Sequence, residues 1–219
     1  MRSRRAIYAG VVFIVVLAGC SGGPGSKPPI EASAVPAELS SQAMSAGEFT
    51  EVSARTSHHN TSVRASIQGD VALQSVREVR AETSIRVYRR NTSAGPVVVS
   101  VYSVPAVTLF PESARVVRNP VAPIAVGPLA DRLQSIYRVG NLTRKTGPSV
   151  RLLGNVTSAT VGEGPAEVNG ARVDVTVRMV TVRHNGDFVT VVHIAPRGSR
   201  SDSASSFQQV LDGVVHPKN

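Results

Sequence analysis

A single cysteine, Cys20, in a chain of 219 residues leaves no partner for an internal disulfide and no thiolate set for a cysteine-based metal site. Tryptophan is absent, and aromatic residues make up only 4% of the chain. Its core must therefore come from Val, Ile, Leu and Ala. Acidic residues are also in the minority, 15 against 24 Lys and Arg. Such a surface draws anionic partners by its field but says nothing about fold or activity. No apolar run reaches the roughly 20 residues needed for a spanning helix. The longest, 7–18, stops at about half that length.

That run belongs to a leader. Arg2, Arg4 and Arg5 precede it, and Leu17-Ala18-Gly19-Cys20 closes it. A positive start, an apolar middle and small residues before the cut describe a signal peptide. Ending on a cysteine supplies a thiol for a lipid, and two acyl or ether chains, at about 0.8 kcal/mol per buried CH2, hold firmly where one does not. Ser3-Arg4-Arg5-Ala6-Ile7-Tyr8 has the layout of a twin-arginine export signal, although paired arginines also occur in general secretory leaders. Cleavage before Cys20 removes three arginines and leaves the remainder basic. The expected organisation is a signal peptide over 1–19, a lipidated cysteine and flexible Gly/Ser/Pro tether over 20–29, and one globular domain over 30–219.

Within 30–219 the periodicity alternates between helical and strand-like. A short helix is predicted over 36–46, with Pro36 in its first turn and Gly47 ending it. Val63, Ala65 and Ile67, then Val79, Ala81, Thr83, Ile85 and Val87, alternate with polar residues as half-buried strands do, joined through Gly69-Asp70. The continuous apolar run 97–104 reads as a central strand covered on both faces. A Pro-rich crossing spans 105–128, and Leu129, Leu133, Ile136 and Tyr137 then share a helical face ahead of Gly140. Two more strands are expected at 149–153 and 156–162, followed by punctuation at Gly164-Pro165 and Asn169-Gly170. Asn185-Gly186 between Val173-to-Met179 alternation and the run 188–195 specifies a type I′ hairpin. Phe207, Val210, Leu211, Val214 and Val215 form one stripe of a closing helix. The order predicts an α+β domain: an antiparallel sheet with helices packed on one face.

Leu17-Ala18-Gly19-Cys20, Pro36-Ala37, Ser103-Val104-Pro105, Val173-Asp174-Val175, Gly186-Asp187-Phe188-Val189 and Gly213-Val214-Val215-His216 occur in an order that resembles a family of uncharacterised lipoproteins from halophilic archaea. The resemblance covers nearly the whole chain and implies a lipid anchor without assigning a reaction. By analogy of element order alone, the fold is similar to Mog1/PsbP-like domains.

No residue set announces catalysis. There is no Gly-x-Ser-x-Gly elbow and no Ser-x-x-Lys pair. Gly22-Gly23-Pro24-Gly25 lacks the helix and lysine of a phosphate loop, so no cofactor is expected. His58 and His59 are adjacent, hence on opposite faces of a strand. His184, His193 and His216 are scattered, so no metal site is expected. Arg80 and Arg86 on one strand and Arg172 and Arg178 on another form either an anion-binding face or a solvated surface neutralised by Glu78, Glu82 and Asp174. Asn60, Asn91, Asn141 and Asn155 each begin an Asn-x-Ser/Thr acceptor, or are ordinary turn residues. The expectation is a lipid-anchored, non-catalytic binding or scaffold module at the outer face of the cytoplasmic membrane. It would meet the membrane through Cys20, and an anionic or acidic envelope partner, but no nucleic acid. An anchored extracytoplasmic hydrolase with a dispersed site is the alternative.

Overall fold

A computed structural model describes residues 28–67, 73–108, 117–118 and 136–218. The leader, Cys20, the Gly69-Asp70 connection, most of the Pro-rich crossing and residues 129–135 of the expected second helix lie outside the described residues. Thirteen strands are described: β1 (Ile30–Ser33), β2 (Glu38–Leu39), β3 (Thr50–Ile67), β4 (Leu73–Thr92), β5 (Gly95–Pro105), β6 (Val107–Thr108), β7 (Val117–Arg118), β8 (Arg138–Val139), β9 (Thr143–Leu152), β10 (Asn155–Val168), β11 (Ala171–His184), β12 (Asp187–Pro196) and β13 (Val214–Val215). Two α-helices, α1 (Ser41–Gly47) and α2 (Ala204–Asp212), and a 3-10 turn (Arg200–Asp202) complete them.

The described chain is 67% strand and 12% helix, so the expected α+β fold of Mog1/PsbP-like type, with helices packed on one face of an antiparallel sheet, is overturned. Nine strands form one mixed sheet along the order β1-β4-β5-β12-β11-β10-β8, with β3 added on β4 and β9 on β10. β1 runs parallel to β4, pairing Ile30 with Val79. The other ladders of this sheet are antiparallel. The misreading has a local cause. Apolar alternation marks only the buried middle of each strand, whereas β3 runs 18 residues and its first half is polar on both faces. Ile136 and Tyr137 are in a turn leading into β8 rather than on a helix.

The run 97–104 sits at the centre as β5, between β4 and β12, and is buried along its length. Its alternate residues feed two cores. Val98, Tyr102 and Val104 join Ile85, Val192 and Ile194 on one face. Val99 and Val101 join Tyr88, Val189 and Val191 on the other. Each such side chain contributes about 1.5–3 kcal/mol when fully buried.

Turn chemistry behaves as its residues dictate. Asn185 (φ 48°) and Gly186 (φ 92°) occupy the left-handed region between β11 and β12, as a type I′ turn requires. Gly164 and Pro165, expected to interrupt the chain, lie inside β10. A Cβ on Gly164 would collide with the Asn141 carbonyl oxygen, so the glycine admits a backbone rather than ending a strand. Helix α1 begins five residues later than expected, because Ser40 caps it by accepting from the Ala43 N–H, and Glu48, not Gly47, takes the left-handed position after it. Ser203 likewise caps α2 through the Ser206 N–H. The closing helix ends at Asp212. Val214 and Val215 leave it to pair with Leu39 and Glu38.

Candidate functional site

Alternate backbone N–H groups of 35–39 are each taken by a side chain rising from a different part of the sheet. Asp187 Oδ2 accepts from Val35 N–H (2.8 Å), Ser103 Oγ from Ala37 N–H (2.9 Å) and Tyr88 Oη from Leu39 N–H (3.1 Å). Segment 35–39 is thus a strap lying across the sheet. Beyond the short pairing of 38–39 with β13, this extended segment has no ladder partner over the sheet, and buried backbone donors must be satisfied somehow. Polar residues inside apolar strands do it here. Tyr88 is nearly fully buried, and burial pushes its hydroxyl up to about 12.

The strap is fastened at one end by a second buried group. His216 Nε2 lies 3.1 Å from Asp187 Oδ2 and 3.2 Å from the Val35 carbonyl oxygen. In a neutral His216 the ring nitrogen facing two acceptors carries the proton, and Nδ1 is then an acceptor. His184 Nδ1, 3.0 Å away, must then donate to it, which leaves His184 Nε2 as the unprotonated outer end. Burial raises the Asp187 carboxyl above its ordinary value, while the Val35 N–H and His216 pull it back in part. Burial, then the positive charges possible on His216 and Lys218, lowers His184. Asn185 also donates to the His216 carbonyl oxygen (3.4 Å).

Sequence reasoning left these residues scattered. Yet Pro36-Ala37, Ser103-Val104-Pro105, Gly186-Asp187 and the final Val214-Val215-His216 all meet at the strap. The available signal was a carboxylate placed directly after Asn185-Gly186 at the start of an apolar strand, where a charge has no business unless it is paired.

A second polar cluster lies on the same face. His193 is fully buried opposite Arg178, with its ring centroid 5.7 Å from that of Phe207. Neither ring nitrogen has a hydrogen-bond partner. Burial, then the Arg178 and Arg90 charges, lowers its pKa from 6.5 to about 3. The folded protein therefore holds His193 neutral. Below pH 6.5 the unfolded chain gains a proton that the folded chain cannot accept until about pH 3, so stability present above that window is lost as pH falls through it. His193→Leu should flatten this acid limb. It should also raise stability at neutral pH by about 1–3 kcal/mol, because two unsatisfied polar atoms leave the core. Urea midpoints at pH 7.5, 5.5 and 4.5 check both effects; an unchanged acid slope in the variant would contradict them.

The arginines expected to share a face do not form one open cationic patch. Arg80 pairs with Glu31 (3.3 Å) and Glu78 (3.6 Å), and Arg86 with Glu51 (2.8 Å) and Glu38 (3.2 Å). Arg178 is buried against Asp202 (2.8 Å), and Arg172 is exposed, opposite Glu167 in the ladder. Asn60, Asn91, Asn141 and Asn155 are all exposed. His58 lies 3.5 Å from Glu82, while His59 Nε2 faces Thr83 Oγ1 at 3.0 Å. Among the described residues no three potential ligands are grouped to hold a metal ion, and no helix is long and apolar enough to cross a membrane.

A family model described as Domain of unknown function (DUF6517) matches residues 36–215, from the start of the strap to β13. No curated protein and no solved structure matches the chain.

Proposed function

From the premise that the chain belongs to the DUF6517 family, we propose that it is a lipid-anchored module of the cell envelope that binds or scaffolds a partner without catalysing a reaction. Cys20, lipidated after the leader is removed, would hold it at the outer face of the cytoplasmic membrane, as in the halophilic archaeal lipoproteins it resembles. The non-catalytic reading is carried by one observation. The buried cluster of imidazole and carboxylate groups turns them inward: the side chains of His216 and Asp187 are 0% and 3% exposed. A general acid or base must lie within hydrogen-bond reach of the substrate proton it moves. These two groups are instead engaged with Val35 and each other.

Two tests separate the parts of this reading. Cys20→Ser should release the protein from membranes or leave it unprocessed, as fractionation and a mobility shift would reveal. A variant still membrane-bound, cleaved and lipid-modified would refute the anchor. Crosslinking in intact cells should capture a recurrent envelope partner. The outer nitrogen of His184 favours the alternative, an anchored hydrolase. Ester or peptide turnover by the purified chain, abolished in His184→Gln, would replace the binding reading with that one.

A further inference from the structure

Between α1, the residues entering β3, and α2 lies a cavity of about 280 Å³. Leu39, Phe49 and Val210 give it apolar walls, Arg90 contributes a guanidinium, and Ala46 lies exposed at its rim. The arginine is held in place by neutral groups. The Gly47 carbonyl oxygen accepts from Nη1 (2.9 Å), Ser201 Oγ accepts from Nη2 (2.8 Å), and the Phe49 ring centroid is 5.0 Å from Cζ. Its Nε is buried without a partner. Arg80, Arg86 and Arg178 each have a carboxylate, but among the described residues none pairs with Arg90.

A half-buried cation with no carboxylate beside it among the described residues, in a cavity where Ser206 and Gln209 stand beside the apolar walls, is complementary to an anion carried on an apolar body. Guanidinium has five N–H donors. Two are engaged by Gly47 and Ser201, leaving donors for a carboxylate. With Arg90 the one cationic residue lining the cavity among the described residues, a single negative charge fits better than a phosphate dianion. The volume falls just below the usual 300–1,000 Å³ of small-molecule sites, which favours a short acyl chain over a docked helix. We propose that this cavity binds an apolar monocarboxylate, a short- to medium-chain acyl acid. Its carboxylate lies on Arg90 and its chain against Leu39, Phe49 and Val210. The inference does not depend on the lipid at Cys20, and loss of anchoring would leave it standing.

Sodium octanoate and octanol, which share a chain and differ in charge, are the probes, titrated calorimetrically into the folded full-length protein. Octanoate should bind about tenfold or more tightly than octanol, the usual weight of a charge-assisted hydrogen bond. Arg90→Gln should remove that preference, bringing the octanoate-to-octanol ratio to about one. Ala46→Phe, at an exposed position one residue before the Gly47 carbonyl that holds Arg90, should weaken both ligands by blocking the rim. If Arg90→Gln fails to fold, the Ala46→Phe result and the octanoate-to-octanol ratio decide. Absence of octanoate binding to the wild-type chain, equal affinity for both probes, or undiminished octanoate binding in Ala46→Phe would overturn the proposal.

Discussion

Asp202→Ala should destabilise the protein by about 3–5 kcal/mol, the usual cost of leaving one member of a buried ion pair without its partner. Arg178 projects from β11 with its side chain 11% exposed, against 15% for Asp202. Its Nη1 donates to Asp202 Oδ1 at 2.8 Å and its Nη2 to the Asp202 carbonyl oxygen at 2.6 Å. The other carboxylate oxygen accepts from the Gly198 N–H at 2.9 Å. Burial works to raise the Asp202 pKa, but the Gly198 N–H and the Arg178 guanidinium together hold it below its ordinary value. The pair's contribution is therefore present above about pH 4 and fades as pH falls through that lowered value. Removing the carboxylate leaves a guanidinium beside an already unsatisfied His193. Urea melts at pH 7 measure the loss. Arg178→Met combined with Asp202→Leu should recover part of it, since two apolar side chains leave no orphan charge. A shift no larger than that of Glu163→Ala, which breaks an exposed pair with Lys145, would show that the buried pair is dispensable.

Leu211→Ala should cost about 2–5 kcal/mol, through lost transfer energy and the cavity left behind. Leu211 is 1% exposed and lies with Phe207 and Val210 on the inner side of α2, in the cluster that holds Leu39, Leu152, Val180 and Val191. The helix is short, so its stability comes from this packing rather than from its own hydrogen bonds. Gln209 faces outward, and alanine there should change the melting temperature little. Equal melting temperatures for the two variants would mean that α2 is peripheral to the core.

What could be read in advance was what is decided locally. The apolar run of β5, the Asn185-Gly186 turn and the Phe207-Val210-Leu211 stripe each depend on neighbours a few positions away. The polar first half of β3 carries no apolar alternation, because both of its faces meet solvent and its pairing with β4 supplies the order. The end of α2 was misjudged because Val214 and Val215 suit a strand as well as a helix, and Leu39 offers them a ladder. The strap was illegible for a different reason. Val35 and Asp187 are 152 positions apart, and His216 reaches back 181 positions to Val35. Nothing within a local window marks such partners, and a lone buried aspartate or histidine looks the same whether or not its partner exists. The other partners of the arginines were hidden similarly: Glu31, Glu38 and Glu51, which take up Arg80 and Arg86 beside the expected Glu78, come from elements whose placement no periodicity reveals.

The strap also fixes when this protein can finish folding. Its fastening joins residue 35 to residue 216, so nearly the whole polypeptide must exist before Asp187 finds both of its partners. The β2–β13 ladder imposes the same condition. During synthesis the N-terminal segment can pair with β4, Ser103 and Tyr88 early, but Val35 and Leu39 gain their last partners only once residues 214–216 have emerged. Contacts of such long separation also form slowly, because the loop entropy is lost before they give any return. A chain stalled a few residues short of His216 therefore leaves Asp187 with the Val35 N–H but without its imidazole partner. The domain closes only after residue 216 has been made.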